Sequence, residues 1–154
     1  MKLGVIGSGT MGYGIAQTAA QNGYEVLLYD IMQEQLDKAK NSIAGSLKGR
    51  VAKGKISQEE MNSVIGNITT STDIQELADR EIIIEAIIEK VELKQSVFSQ
   101  IENIVSEDTL LATNTSSLSI IEIAQALKDP SRLVGIHFFN PAPVMKLVEI
   151  VRSL

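Results

Sequence analysis

Within its first thirty residues the chain carries the pattern that most narrows its fold. A short apolar run, "KLGVI" (Lys2 to Ile6), breaks into "GSGTMG", which places Gly7, Gly9 and Gly12 at G-x-G-x-x-G spacing. A helical pattern follows over Met11 to Asn22. A second apolar run, "EVLLYD" (Glu25 to Asp30), then ends on an acid 18 residues beyond Gly12. The glycines alone signify little more than a turn. Strand, loop, helix, strand and acid in this order describe a βαβ unit that binds a dinucleotide. Gly7 makes the tight turn, Gly9 lets a pyrophosphate approach the backbone, and Gly12 lets the helix lie close on the strand. Thr10 and Met11 complete the cofactor loop, and the helix starting there turns oriented N–H groups toward the phosphates. Asp30 is placed to accept hydrogen bonds from the adenosine ribose hydroxyls, unless it merely ends a strand. A carboxylate there repels a 2′-phosphate, and Ile31 and Met32 supply no arginine to neutralise one. The expected cofactor is therefore NAD(H) rather than NADP(H).

The remaining chain repeats the alternation. Gln33 to Val51 has helical composition, and "LKGRVAKGKISQEEM" breaks that pattern with glycines and bases. Ser57 and Glu60 have capping-box spacing for another short helix. "NITTSTD" reads as a short strand, with Asp73 capping "IQELADR". Glu81 to Ile88 is the next strand, Val91 to Val105 a helix, and Thr109 to Asn114 a strand. Ser119 and Glu122 cap a helix over Ile120 to Leu127. "RLVGIHF" and "KLVEIV" are the last two strands, and the "FNPAPVM" between them is too short for a crossover helix, so they pair antiparallel. The expected fold is α/β: a doubly wound, mainly parallel sheet covered on both faces, with an antiparallel C-terminal edge. At 154 residues this is one domain with a substantial core.

Composition removes other functions. A dispersed net charge of −5 without a basic stripe argues against nucleic acid. There is no cysteine to supply a disulfide or thiolate, and the single histidine argues against a histidine-rich metal site. Apolar runs such as "IIIEAII" are too short to span a membrane and contain a carboxylate. "MKLGVIGSG" does not read as a signal peptide, so the expected compartment is cytoplasmic.

Two later segments carry chemistry. "ATNTSSLSI" follows a strand at the carboxyl edge of the sheet, where ligands of such sheets bind; its hydroxyls equally suit a capped loop. "GIHFFNPAPVMKLVEIV" holds His137, which is a structural histidine or a general base. In an antiparallel hairpin Glu149 comes beside His137, either as the carboxylate that orients its ring or as an edge carboxylate in water.

"GSGTMGYGIAQ", "IIEAIIEKVELK", "ATNTSSLSI" and "HFFNPAPVMKLVEIV", in this order, resemble the L-3-hydroxyacyl-CoA dehydrogenases, and most closely the bacterial 3-hydroxybutyryl-CoA dehydrogenases, along essentially the whole chain. The resemblance implies a Rossmann-like domain over residues 1–154 with a helical hairpin inserted after the second strand. It implies NAD-dependent oxidation of (S)-3-hydroxyacyl-CoA and the reverse, with His137 as base, Glu149 as its partner and Ser116 on the substrate's 3-oxygen. Glu89, Lys94 and Asn140 match cofactor contacts. Lys53 and Lys55, with Ser46, are candidates for the CoA tail; the alternative is a basic patch facing solvent. Relatives continue into a helical domain that forms a homodimer and closes the cleft. The chain is therefore expected to be the cofactor domain alone, binding NAD(H) but turning over acyl-CoA poorly. A dehydrogenase of a non-CoA hydroxy acid and a non-catalytic dinucleotide-binding domain are the alternatives.

Overall fold

The computed structural model describes residues 1–152. Its element order is β1 (Lys2–Ile6), α1 (Thr10–Gln21), β2 (Glu25–Tyr29), α2 (Gln33–Ala52), α3 (Gln58–Gly66), β3 (Ile68–Ser71), β4 (Ile82–Glu85), α4 (Val91–Glu102), β5 (Leu110–Thr113), α5 (Ile120–Ala124), β6 (Leu133–Phe138) and β7 (Val148–Arg152). The strands form one seven-stranded sheet in the order β3-β2-β1-β4-β5-β6-β7. β1 to β6 pair parallel, and β7 pairs antiparallel with β6. The order reverses between β1 and β4, so the carboxyl ends of those strands flank a crevice where open α/β sheets bind ligands.

Side chains alternate between the two faces of each strand. Leu3, Val5, Val26 and Leu28 meet α1, α2 and α3 on one face, while Ile6, Leu27, Tyr29 and Ile83 meet α4 and α5 on the other. Each fully buried Leu, Ile or Phe contributes about 1.5–3 kcal/mol by leaving water.

Several elements differ from the expected spans, α4 among them, which ends at Glu102 rather than Val105. α2 continues to Ala52 through Gly45 and Gly49. Its residues Leu36, Ala39, Ile43 and Leu47 recur at helical spacing and are buried, and this outweighs the cost of about 1 kcal/mol per helical glycine. The chain then turns at Gly54, whose φ of +69° suits glycine, and returns in α3, which completes the expected helical hairpin. At Ser57 both halves of the capping box form. β4 stops at Glu85 instead of Ile88 because the Glu85 carboxylate accepts the Ile87 N–H and draws the chain out of the ladder. α5 ends at Ala124 rather than Leu127, and Ser119 caps it by accepting the Glu122 N–H.

No helix among the described residues is long and apolar enough to cross a membrane.

Candidate active site

The glycine loop is shaped by contacts that a side chain would destroy. Gly7 has φ of +100°, and a Cβ there would lie 2.7 Å from the Ala86 carbonyl oxygen. A Cβ on Gly12 would lie 1.7 Å from the Gly7 carbonyl oxygen. A Cβ on Gly9 meets no protein atom within 4 Å, so that glycine keeps clear a space that no other part of the chain fills. α1 begins directly afterwards, with Gly9 at its N-cap, no side-chain cap and no acid in its first turn. Its first N–H groups and its positive dipole end are left for an anion, which is what a dinucleotide pyrophosphate supplies.

Asp30, at the end of β2, is held on both carboxylate oxygens. Oδ2 accepts the Ser8 N–H at 3.0 Å and the Ser8 hydroxyl at 2.8 Å, and Oδ1 accepts the Met32 N–H at 3.0 Å. Oδ1, with one donor, keeps acceptor capacity for a ribose hydroxyl. Ser8, a variable position of the glycine motif, is thus part of the site although spacing alone gave no reason to select it.

A cleft of about 450 Å³ opens beyond the loop. It brings together Gly9, Thr10, Met11, Glu89, Ser116, His137 and Asn140, seven residues singled out from four separate sequence motifs. Gly7, Gly12 and Asp30 do not line it; Asp30 is tied to the loop through Ser8. Asn114 lines the cleft too, and its Oδ1 accepts the Phe138 N–H at 3.1 Å, tying β5 to β6.

His137 and Glu149 occupy directly opposed positions of the β6–β7 hairpin. Nδ1 of His137 is 3.6 Å from Oε2 of Glu149, within ion-pair range and longer than a direct hydrogen bond. The Phe139 ring lies on the imidazole, with centroids 4.4 Å apart. Gly14 on α1 explains how the link after Phe139 is seated: a Cβ there would be 3.3 Å from the Ala142 side chain and 3.4 Å from Pro143.

Lys94 has a different setting from the cleft residues. Its side chain is fully buried, and its ammonium binds the equally buried Glu85 carboxylate and Oε1 of Glu89 at 3.2 Å. Burial pushes the Glu85 carboxyl up from its ordinary value, opposed by Lys94, the Thr113 hydroxyl and the Ile87 N–H. Lys94 therefore acts on the cleft from behind its wall, through Glu89 and the carbonyls of Ile87 and Asn114.

Ser46, Lys53 and Lys55 line a second, larger cleft of about 980 Å³ between α1, the α2–α3 hairpin and the link from β6 to β7. Arg50 and Lys146 add two cations to it. Lys146 lies far from the hairpin in sequence, and only the folding of the link over α1 brings it there. Gln17, buried on α1, donates to the Ser46 hydroxyl at 3.1 Å.

Fold and site together define a Rossmann domain for a nicotinamide dinucleotide. The family model for the 3-hydroxyacyl-CoA dehydrogenase NAD-binding domain matches residues 2–154, and the chain belongs to this family of NAD-dependent oxidoreductases. It is 49% identical over 150 residues to a 3-hydroxyadipyl-CoA dehydrogenase of Escherichia coli, covering 97% of this chain and 32% of that protein. It is 45% identical over 151 residues to a 3-hydroxybutyryl-CoA dehydrogenase of Clostridioides difficile, covering 98% of this chain and 54% of that protein. The crystal structure of (S)-3-hydroxybutyryl-CoA dehydrogenase from Ralstonia eutropha matches with a TM-score of 0.96 at 40% identity, covering 99% of this chain and 54% of that one. The chain thus spans between about a third and a half of the length of these relatives.

Proposed function

We propose that this chain is the cofactor-binding part of an enzyme that oxidises (S)-3-hydroxyacyl-CoA, 3-hydroxybutyryl-CoA foremost, to 3-oxoacyl-CoA and runs the reverse reduction. The observation that carries the reading is the link between β6 and β7. Phe139 and Asn140 line the cleft that holds His137, while Ala142 to Lys146 line the basic cleft, so the two share one wall. A substrate with a secondary alcohol at one end and an anionic nucleotide tail at the other matches that pair. Arg50, Lys53, Lys55 and Lys146 meet its phosphates, with Ser46 beside them, and the acyl end reaches His137. The names of the relatives, dehydrogenases of 3-hydroxyadipyl-CoA and 3-hydroxybutyryl-CoA, support the same substrate class.

Bound NAD⁺ supplies the hydride acceptor. Asp30 takes the adenosine ribose, the N-terminus of α1 the pyrophosphate, and Thr10, Met11, Glu89 and Asn140 the nicotinamide half, with Lys94 acting behind Glu89. His137 Nε2 removes the hydroxyl proton of the substrate while the C3–H bond breaks, so no free alkoxide forms. A positioned base of this kind contributes about 10²–10⁴-fold. Glu149 faces the other ring nitrogen and stabilises the imidazolium. Its 3.6 Å separation is of the length that tightens when a substrate is bound. Ser116 donates to the 3-oxygen as it becomes a carbonyl, and in reduction the imidazolium returns the proton.

Retention of the chain on immobilised CoA tests the reading. The wild type is retained at low salt and released as ionic strength rises, and Lys53→Ala/Lys55→Ala is not retained. Equal retention of that double variant, or no retention of the wild type, overturns the acyl-CoA assignment while leaving NAD binding untouched.

A further inference from the structure

A carboxylate at the buried end of an apolar strand demands a reason. Glu85 closes the run "IIIE" of β4, and it and Lys94 both have fully buried side chains. Its oxygens accept from the Lys94 ammonium (2.9 Å to Oε2), the Thr113 hydroxyl (2.9 Å) and the Ile87 N–H (3.3 Å). Lys94 lies in the first turn of α4, the end of a helix where its dipole disfavours a cation. If the only task were to hold α4 on the sheet, two apolar side chains would serve at least as well. The ion pair is explained by what the ammonium does next. It reaches Oε1 of Glu89 at 3.2 Å and the carbonyls of Ile87 and Asn114 at 3.4 and 3.5 Å. The other oxygen of Glu89 accepts the Thr115 hydroxyl at 2.7 Å. Glu89 is thus gripped from both sides, by α4 and by the segment after β5, at the mouth of the cleft that contains His137.

We propose that Glu85 is a positioning residue for the cofactor. It holds Lys94 in place, and Lys94 fixes Glu89 and the 86–89 segment as the wall that receives the nicotinamide half. The inference rests on NAD(H) binding in this cleft. Paired with Glu85, the ammonium still neutralises part of the Glu89 charge, which would otherwise repel a doubly anionic ligand, and leaves the carboxylate free to accept from ribose hydroxyls. The hydrogen bonds that hold Asp30 come from Ser8 and Met32 and not from Glu85, Lys94 or Glu89, so the adenosine ribose contact is separate from this network.

The test uses fluorescence titration of the chain with NADH, and ADP as competitor to probe the adenine half alone. Glu85→Gln weakens NADH about tenfold, the low end for loss of a hydrogen bond to a charged group, and leaves ADP within about twofold. Glu89→Gln weakens NADH similarly, and the double variant is no worse than the weaker single, because both act through one contact. Should Glu85→Gln fail to fold, Thr113→Val takes its place. It removes one bond to Glu85 and is expected to weaken NADH about threefold with ADP unchanged. Unchanged NADH affinity, parallel loss of NADH and ADP, or multiplicative loss in the double variant overturns the proposal. A wild type that binds ADP but not NADH refutes the cofactor reading on which it rests.

Discussion

The approach of α1 to the glycine loop allows one substitution to be worked through quantitatively. In Gly12→Ala the new Cβ falls 1.7 Å from the Gly7 carbonyl oxygen and 2.7 Å from its carbon. Both obstacles are backbone, so no rotamer change relieves them. Restoring van der Waals separation requires α1 and the loop to part by about 1.5 Å, which exceeds ordinary overpacking; the expected cost is about 3 kcal/mol or more. With an unfolding entropy of about 2.1 cal/mol/K per residue, 154 residues convert that into a fall in Tm of about 9 °C. The same displacement carries the N–H groups of α1 off the pyrophosphate position, and loss of hydrogen bonds to that anion should weaken NADH about tenfold or more. Gly45→Ala is the control: it lies in α2, its Cβ meets nothing within 4 Å, and it should gain about 1 kcal/mol, or about 3 °C. Thermal melts by circular dichroism and NADH titration read both effects. A Gly12→Ala protein that melts within about 2 °C of wild type and binds NADH normally refutes the close-approach argument.

Asp30→Ala removes the ribose acceptor and should weaken NADH about tenfold or more while NADPH loses less; equal losses in a competition titration contradict the assigned role. Phe98 is fully buried between α4 and the sheet, so Phe98→Ala should cost about 3–5 kcal/mol in denaturant unfolding, with the m-value unchanged. Asp79 is held below its ordinary value of 3.8 by hydrogen bonds from Lys2 and then Arg80. Because the folded pKa lies below the unfolded one, this contribution is present above the ordinary value and is lost as pH falls through the folded one. Asp79→Asn should therefore lower Tm at neutral pH, and the difference should shrink as pH falls below the ordinary carboxylate range; an offset that stays constant into acid contradicts it.

Much of this molecule is legible without coordinates because its signals are local. The glycine spacing, the acid ending β2 and the capping residues Ser57 and Ser119 each act within a few residues, and strand periodicity assigns side chains to faces. The shortness of "FNPAPVM" sufficed to predict that β6 and β7 pair antiparallel, and that pairing sets His137 opposite Glu149. Composition placed α2 to within one residue, and only the break signalled by the glycines after Leu47 was overridden, by burial of Leu36 and Leu47.

What periodicity and spacing cannot convey is the partnership of groups distant along the chain, because such pairing depends on crossovers and close approaches that only the packed sheet defines. Ser8 on Asp30, Lys94 between Glu85 and Glu89, and Lys146 in the cleft with Lys53 are all of this kind. Sequence by itself determined the βαβ frame and the nicotinamide dinucleotide cofactor, and it singled out His137 as the candidate base. Tertiary structure alone decided that the lysine of α4 holds Glu85 and Glu89 from behind the cleft instead of facing it, since its side chain is fully buried. It also set the link after His137 along the basic cleft, because Gly14 lets the Ala142–Pro143 turn settle against α1.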